Sequence, residues 1–233
     1  MAPVQDGLVE RTRLVADRGP RPLTRGWGHV FAALAALVAA TVLITYSWMT
    51  LSWAPALGVT VYGVCLVGLF AVSATYHRWP WGSFRAVQWW RRADHATIAV
   101  FIAATYTPLS LIAFNGVTAW ILLGVAWGGA VAGVILNLVW IEHPRWLSVA
   151  VYLVLGWLIV PLIPTLWRQE GPAVVWLLFA GGLVYSLGAV VYGFKWPGRN
   201  ARIYGYHEHF HTATIAAATV HLVAVWMVVV GAG

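Results

Sequence analysis

Charge is what this sequence has least of. Lys and Arg number 14 and Asp and Glu 7, so charged residues make up 9% of the 233-residue chain. A soluble domain carries roughly 25%, and a chain this poor in charge cannot cover a soluble surface of its size. Disorder is excluded too, because disordered segments are polar and poor in aromatics. Here 61% of residues are apolar and 16 are Trp. Cysteine is scarcer still. The single Cys65 lies in an apolar run, which excludes an intrachain disulfide and a cysteine-rich metal site. The soluble globular, disulfide-scaffold and collagen-like classes all fall away, and an all-α polytopic membrane protein remains.

What is abundant is long apolar runs. About 20 such residues span a bilayer as a helix, and seven spans are expected, at residues 29–50, 55–75, 94–114, 117–139, 147–166, 173–194 and 207–230. The runs are continuous rather than alternating, which argues for helices over barrel strands. Gly and Pro punctuate the breaks, as at Ser52–Pro55, Asn115-Gly116 and Arg168–Pro172. Pro108, Pro161 and Pro164 fall inside spans, where kinks are tolerated. The first span is too long for a signal-peptide core and is followed by others. The first 25 residues, polar and Arg-rich, are expected to be a poorly ordered cytoplasmic segment. Residues 26–233 form the transmembrane domain, with no internal repeat and no linker to a second domain.

The net charge of +7 gains meaning from its placement. Arg11, Arg13, Arg18, Arg21 and Arg25 precede the first span. Arg78, Arg85, Arg91 and Arg92 lie in the second loop, Arg145 in the fourth, and Lys195, Arg199 and Arg202 in the sixth. These are 13 of the 14 basic residues, and only Arg168 falls in the alternate set. Lys and Arg accumulate on the cytoplasmic side, so the N-terminus is expected inside and the C-terminus outside, which requires an odd number of spans. The basic excess also suits anionic lipid headgroups. A nucleic-acid partner would need a basic soluble face, and there is none.

Ionisable groups at membrane depth are costly and so become functional candidates. Ser73 and His77, four apart at the end of span two, share a helical face. Alone, His77 beside Trp79 and Trp81 would read as an aromatic belt. Asp94-His95 opens span three, where a carboxylate also suits the helix dipole. His207-Glu208-His209-Phe210-His211 opens span seven, and His207 and His211 have the i, i+4 spacing with which two imidazoles bind one metal. His209 lies on the far side and reads as interfacial. Topology brings all three places to one leaflet. Three imidazoles plus water make a catalytic-type zinc site, with Zn²⁺ held by His77, His207 and His211. Asp94 would hydrogen-bond the metal-bound water or act as its base, and Ser73 would hold that water or stabilise an oxyanion. Bound zinc lowers the pKa of its water to about 7, which gives a nucleophile against an ester or amide carbonyl.

The segment also matches the zincin pattern H-E-x-x-H, with Glu208 as base. As a protease the match is weak, because no carboxylate follows Glu208 to supply a third ligand. His221 is 10 residues beyond His211, about 15 Å deeper by helical rise, and is expected to make a buried hydrogen bond. His29 could join the site from behind the ligands, and His143 reads as loop or interface. Gly128, Gly129, Gly133, Gly181 and Gly182 are expected to permit close helix packing.

Ser73-x3-His77, Asp94-His95-Ala96-Thr97-Ile98 running to Thr105-Tyr106-Thr107-Pro108, and Tyr206-His207-Glu208-x-Phe210-His211 followed by His221 resemble the hemolysin III family of the progestin and adipoQ receptor superfamily. Arg25-Gly26-Trp27-Gly28-His29 resembles the start of that family's first span. The resemblance covers about residues 20–230. It implies a seven-helix bundle with a cytoplasmic N-terminus in a bacterial plasma membrane. It also implies zinc held by His77, His207 and His211 near the cytoplasmic leaflet, with Asp94 and Ser73 around its water. The wider superfamily includes presumed lipid-amide hydrolases resembling alkaline ceramidases, and the family name records a cytolytic effect of some members. A counterpart of the eukaryotic receptors' long N-terminal domain, and with it hormone recognition, is not expected.

Three readings follow. The first is a zinc-dependent membrane hydrolase of a lipid amide or ester. The second is a non-catalytic, zinc-stabilised receptor or regulator of membrane homeostasis. The third is a transporter relaying protons or metal through Asp94 and the histidines, for which midplane polar residues (Asn137, Thr105, Thr107, His221) are sparse.

Overall fold

The computed structural model describes residues 22–140, 142–198 and 201–233. Arg11, Arg13, Arg18, Arg21 and Arg199, and most of the expected N-terminal segment, lie outside the described residues. Among those residues every regular element is helical. The helices are α1 (Trp27–Thr50), α2 (Trp53–Arg78), α3 (Phe84–Ala113), α4 (Gly116–Val139), α5 (Arg145–Gly156), α6 (Ile163–Phe194) and α7 (Tyr206–Ala232). A 3₁₀ turn, Val160–Leu162, joins α5 to α6. By length and composition six stretches can cross a membrane: α1, α2, α3, α4, the continuous segment Arg145–Phe194, and α7.

The packing is that of a bundle in lipid. On α1 the large residues Phe31, Leu34, Val38 and Val42 face outward, while Ala32, Ala36, Ala40 and Leu43 face inward. Small residues inside and large apolar residues outside invert the soluble pattern. Lipid supplies no hydrophobic drive between helices, so close backbone approach holds them together. Gly133 illustrates this, since a Cβ there would lie 2.9 Å from Ala99 of α3. Gly129 admits Leu155 in the same way, whereas Gly128 faces open space.

Two core clusters share α3 and α7. One joins Ala99, Tyr106 and Leu109 to Ala126, Leu155, Leu178 and Val228. The other joins Phe101 and Val225 to Ala36, Leu43, Tyr62 and Leu66. Both α3 and α7 therefore stand between the two halves of the bundle.

The segment Arg145–Phe194 is not one rod. Gly171 has φ 82° and ψ 172°, non-helical values inside α6, and Pro172 follows it. Trp157 Nε1 donates to Ser186 Oγ at 3.1 Å, although 29 residues of straight helix would separate them by about 43 Å. Trp167 and Trp176 meet edge to face with centroids 6.5 Å apart. The chain thus folds back on itself about Gly171. α5 also ends early, and the Tyr106 hydroxyl lies 3.0 Å from the Leu155 carbonyl and 2.7 Å from that of Gly156. Its one O–H caps the end of the broken helix, where the Leu155 carbonyl also accepts the Leu158 N–H at 3.4 Å.

Candidate metal centre

The ends of α2 and α7 converge on α3 ten residues beyond its start. α2 brings Ser73 and His77, one turn apart at its C-terminal end. α3 brings Asp94, and α7 brings His207 and His211 from its first turns. The ligand-capable atoms of His77, His207 and His211 all lie within 4.8 Å of one another. His207 Nε2 is 3.2 Å from His77 Nε2. Ligands 2.0–2.1 Å from one tetrahedral zinc stand about 3.3–3.4 Å apart, so this spacing fits a shared ion. Asp94 Oδ2 is 3.8 Å from His77 Nε2, and Ser73 lies beside the Asp94 carboxyl. The five residues expected from sequence are therefore brought together.

Other contacts hold the ligands in place. The ring of His29 stacks on His211 with centroids 3.8 Å apart and planes within 5°. Gly26 lies against α2 in a left-handed conformation (φ 81°), and a Cβ on it would come within 2.6 Å of the His77 Cβ. Only glycine combines that φ with that approach. Residues 23 and 24 hydrogen-bond the carbonyls of Arg202 and Ile203, so the start of α1 is strapped to the lead-in of α7.

Glu208 is not placed as a zincin base. Its carboxylate pairs with Arg25 and accepts the Gly205 N–H at 2.9 Å. It caps α7 and ties it to the strap, and it is not among the residues that line the cavity with the three imidazoles. Sequence reasoning missed the Arg25 partner, because the H-E-x-x-H spacing says nothing about a residue 183 positions earlier. His209 packs against Tyr204 and Trp196 on the far side of α7. His143 is buried, with Nδ1 2.5 Å from the Trp140 carbonyl and Nε2 on the Ser148 hydroxyl. His95 is fixed through Nδ1 to the Arg91 carbonyl at 2.8 Å.

The cluster opens into a cavity of about 590 Å³ between α3, α5, α6 and α7, within the 300–1,000 Å³ range of ligand pockets. Ser73, His77, Asp94, His207 and His211 line one end, and the lining reaches Leu109, Leu178 and His221. From Asp94 to Leu109 is about 22 Å of helix. The five candidate-site residues thus gather at one end of a long, mainly apolar chamber.

A sequence model of the haemolysin-III related family matches residues 19–222. Hemolysin-3 of Bacillus cereus is 29% identical over 185 residues, covering 79% of this chain and 82% of its own. The hemolysin-3 homolog of Bacillus subtilis (strain 168) is 32% identical over 136 residues, covering 58% and 63%. The heptahelical transmembrane protein ADIPOR2 of Oryza sativa subsp. japonica is 32% identical over 181 residues, covering 70% and 79%. With its long apolar helices and this match over most of its length, the chain is a multi-pass integral membrane protein that belongs to the haemolysin-III related family, within the progestin and adipoQ receptor superfamily.

Proposed function

We propose that the protein is a zinc-dependent membrane hydrolase acting on a lipid amide or ester. The observation that carries this reading is the approach of His77, His207 and His211 at the polar end of a lipid-sized cavity. Zinc bound by the three imidazoles would supply a Lewis acid able to lower the pKa of a water to about 7. The protein's own groups do the rest. The Asp94 carboxylate takes a proton from the attacking water and returns it to the leaving nitrogen or oxygen. Ser73 orients that carboxylate, and the apolar walls hold the acyl chain and keep bulk water out. The cavity ending at the histidines favours this over a purely structural zinc.

The reading includes topology. The fold-back about Gly171 supports counting Arg145–Phe194 as two crossings and the chain as seven. The bias of basic residues supports a cytoplasmic N-terminus in a bacterial plasma membrane. Reporter fusions at the two termini should report opposite sides.

The deciding experiment is metal content joined to turnover. Purified protein should carry one zinc per chain by elemental analysis, and His77→Ala or His211→Ala should lose it. Asp94→Asn should keep zinc and lose hydrolysis of a ceramide or lipid ester. Wild-type protein purified without zinc, and unable to bind it when it is added, refutes the proposal.

A further inference from the structure

The metal centre occupies one end of the cavity, and the far end is polar too. His221 lines it from α7 and Tyr185 from α6, about 15 Å beyond His211 by helical rise. His221 Nε2 donates to the Leu178 carbonyl at 3.1 Å. A carbonyl only accepts, so Nε2 carries the proton and Nδ1 is left as an acceptor. Room for the ring exists because residue 181 has no side chain, since a Cβ there would come within 2.2 Å of the imidazole.

The Tyr185 hydroxyl is buried with no hydrogen-bond partner. Tyr62, wholly buried on α2 and within electrostatic range of Tyr185, has a hydroxyl in the same condition. Thr105 and Thr214 on the same cavity wall are satisfied within their own helices. Thr105 donates to the Phe101 carbonyl and Thr214 to that of Phe210. Unsatisfied hydroxyls at membrane depth are costly, so an unpartnered phenol on a side chain that lines the cavity, its ring 5.6 Å from that of His221, points to a ligand atom that completes the bonding.

We propose that His221 and Tyr185 form a second polar subsite, which takes a hydroxyl group carried part-way along the lipid chain. A hydroxyl matches the pair because it donates to His221 Nδ1 while accepting from the Tyr185 O–H. A plain methylene chain satisfies neither. This deepens the hydrolase reading and rests on it only in taking the cavity as the lipid site. The favoured substrates are then lipids whose acyl or base chain is hydroxylated well away from the scissile carbonyl.

The test is equilibrium binding of two radiolabelled probes, stearic acid and a stearic acid hydroxylated at mid-chain, to the purified full-length protein in detergent. Wild type should bind the hydroxylated acid about three- to tenfold more tightly, the range of one net hydrogen bond. Tyr185→Phe keeps the ring and the packing. It should bring the ratio to about one without weakening stearic acid, and His221→Leu should do the same. Equal binding of the two acids by wild type means that water fills the subsite, and it overturns the proposal. So does a preference that survives Tyr185→Phe. Measuring the ratio before and after chelation separates the two readings. Protein that never holds zinc yet keeps the preference supports the subsite while refuting the hydrolase.

Discussion

Replacing Gly26 with Ala should disable the metal centre from outside it. Two costs add. The residue sits at φ 81°, and the left-handed region costs an L-residue about 1–2 kcal/mol. The new methyl would also stand 2.6 Å from the His77 Cβ, so His77 or the strap must move by several tenths of an ångström. Overpacking of this kind costs about 1–3 kcal/mol, for a total of about 2–5 kcal/mol. Displacing a ligand by that much should weaken zinc about 10–100-fold, as disturbing the surroundings of metal ligands does elsewhere. Two controls divide the effect. Gly116 also has positive φ (57°) but nothing within 4 Å of its Cβ position, so Gly116→Ala carries the backbone cost alone. Gly68 has neither a positive φ nor a close neighbour, so Gly68→Ala should be neutral or slightly stabilising. The assays are chelator competition for zinc and thermal unfolding in one detergent. Equal zinc affinity in Gly26→Ala and Gly116→Ala would refute the reasoning, because the contact with His77 would then carry nothing.

Other outcomes follow from the same geometry. Glu208→Gln leaves Arg25 without its carboxylate and should destabilise the protein by about 3–5 kcal/mol. The double variant Arg25→Met/Glu208→Gln should recover part of that in thermal unfolding. Hydrolysis per folded molecule should persist in Glu208→Gln but vanish in Asp94→Asn, and the reverse pattern would restore Glu208 as the base. Tyr106→Phe removes the O–H that serves the Gly156 carbonyl and should cost about 1–3 kcal/mol, with zinc content unchanged.

Much of the bundle is legible in the sequence because lipid imposes simple rules. Apolar length finds the helices, and Gly or Pro finds their ends. The break at Gly171 falls inside the Arg168–Pro172 punctuation. The candidate site is legible because so few ionisable residues enter the spans. His77, Asp94 and the His207/His211 pair stand out against an apolar background, and the fold brings them together. What stays hidden depends on which helix faces meet. The stacking of His29 on His211 and the pairing of Arg25 with Glu208 join the two ends of the sequence, and no local pattern encodes either. Gly26 reads as an ordinary loop glycine until α2 is seen against it. The early end of α5 at Gly156 is concealed within a continuous apolar run, because Tyr106 meets its carbonyls from 49 and 50 residues away.

The strap that joins residues 23–25 to 202–208 has a consequence in time. His77 and His207 are separated by 130 residues. At about 5–20 residues per second of synthesis, the first histidine waits roughly 7–26 s for the second to be made. Through that interval Arg25 has no Glu208, and His29 has no imidazole to stack on. Helix α7 therefore delivers two of the three histidines, the carboxylate for Arg25 and the partner of His29 in one event. Insertion of α7 acts as a latch: a chain truncated before it holds one histidine of the three, and a chain that completes it closes the strap and the cluster together.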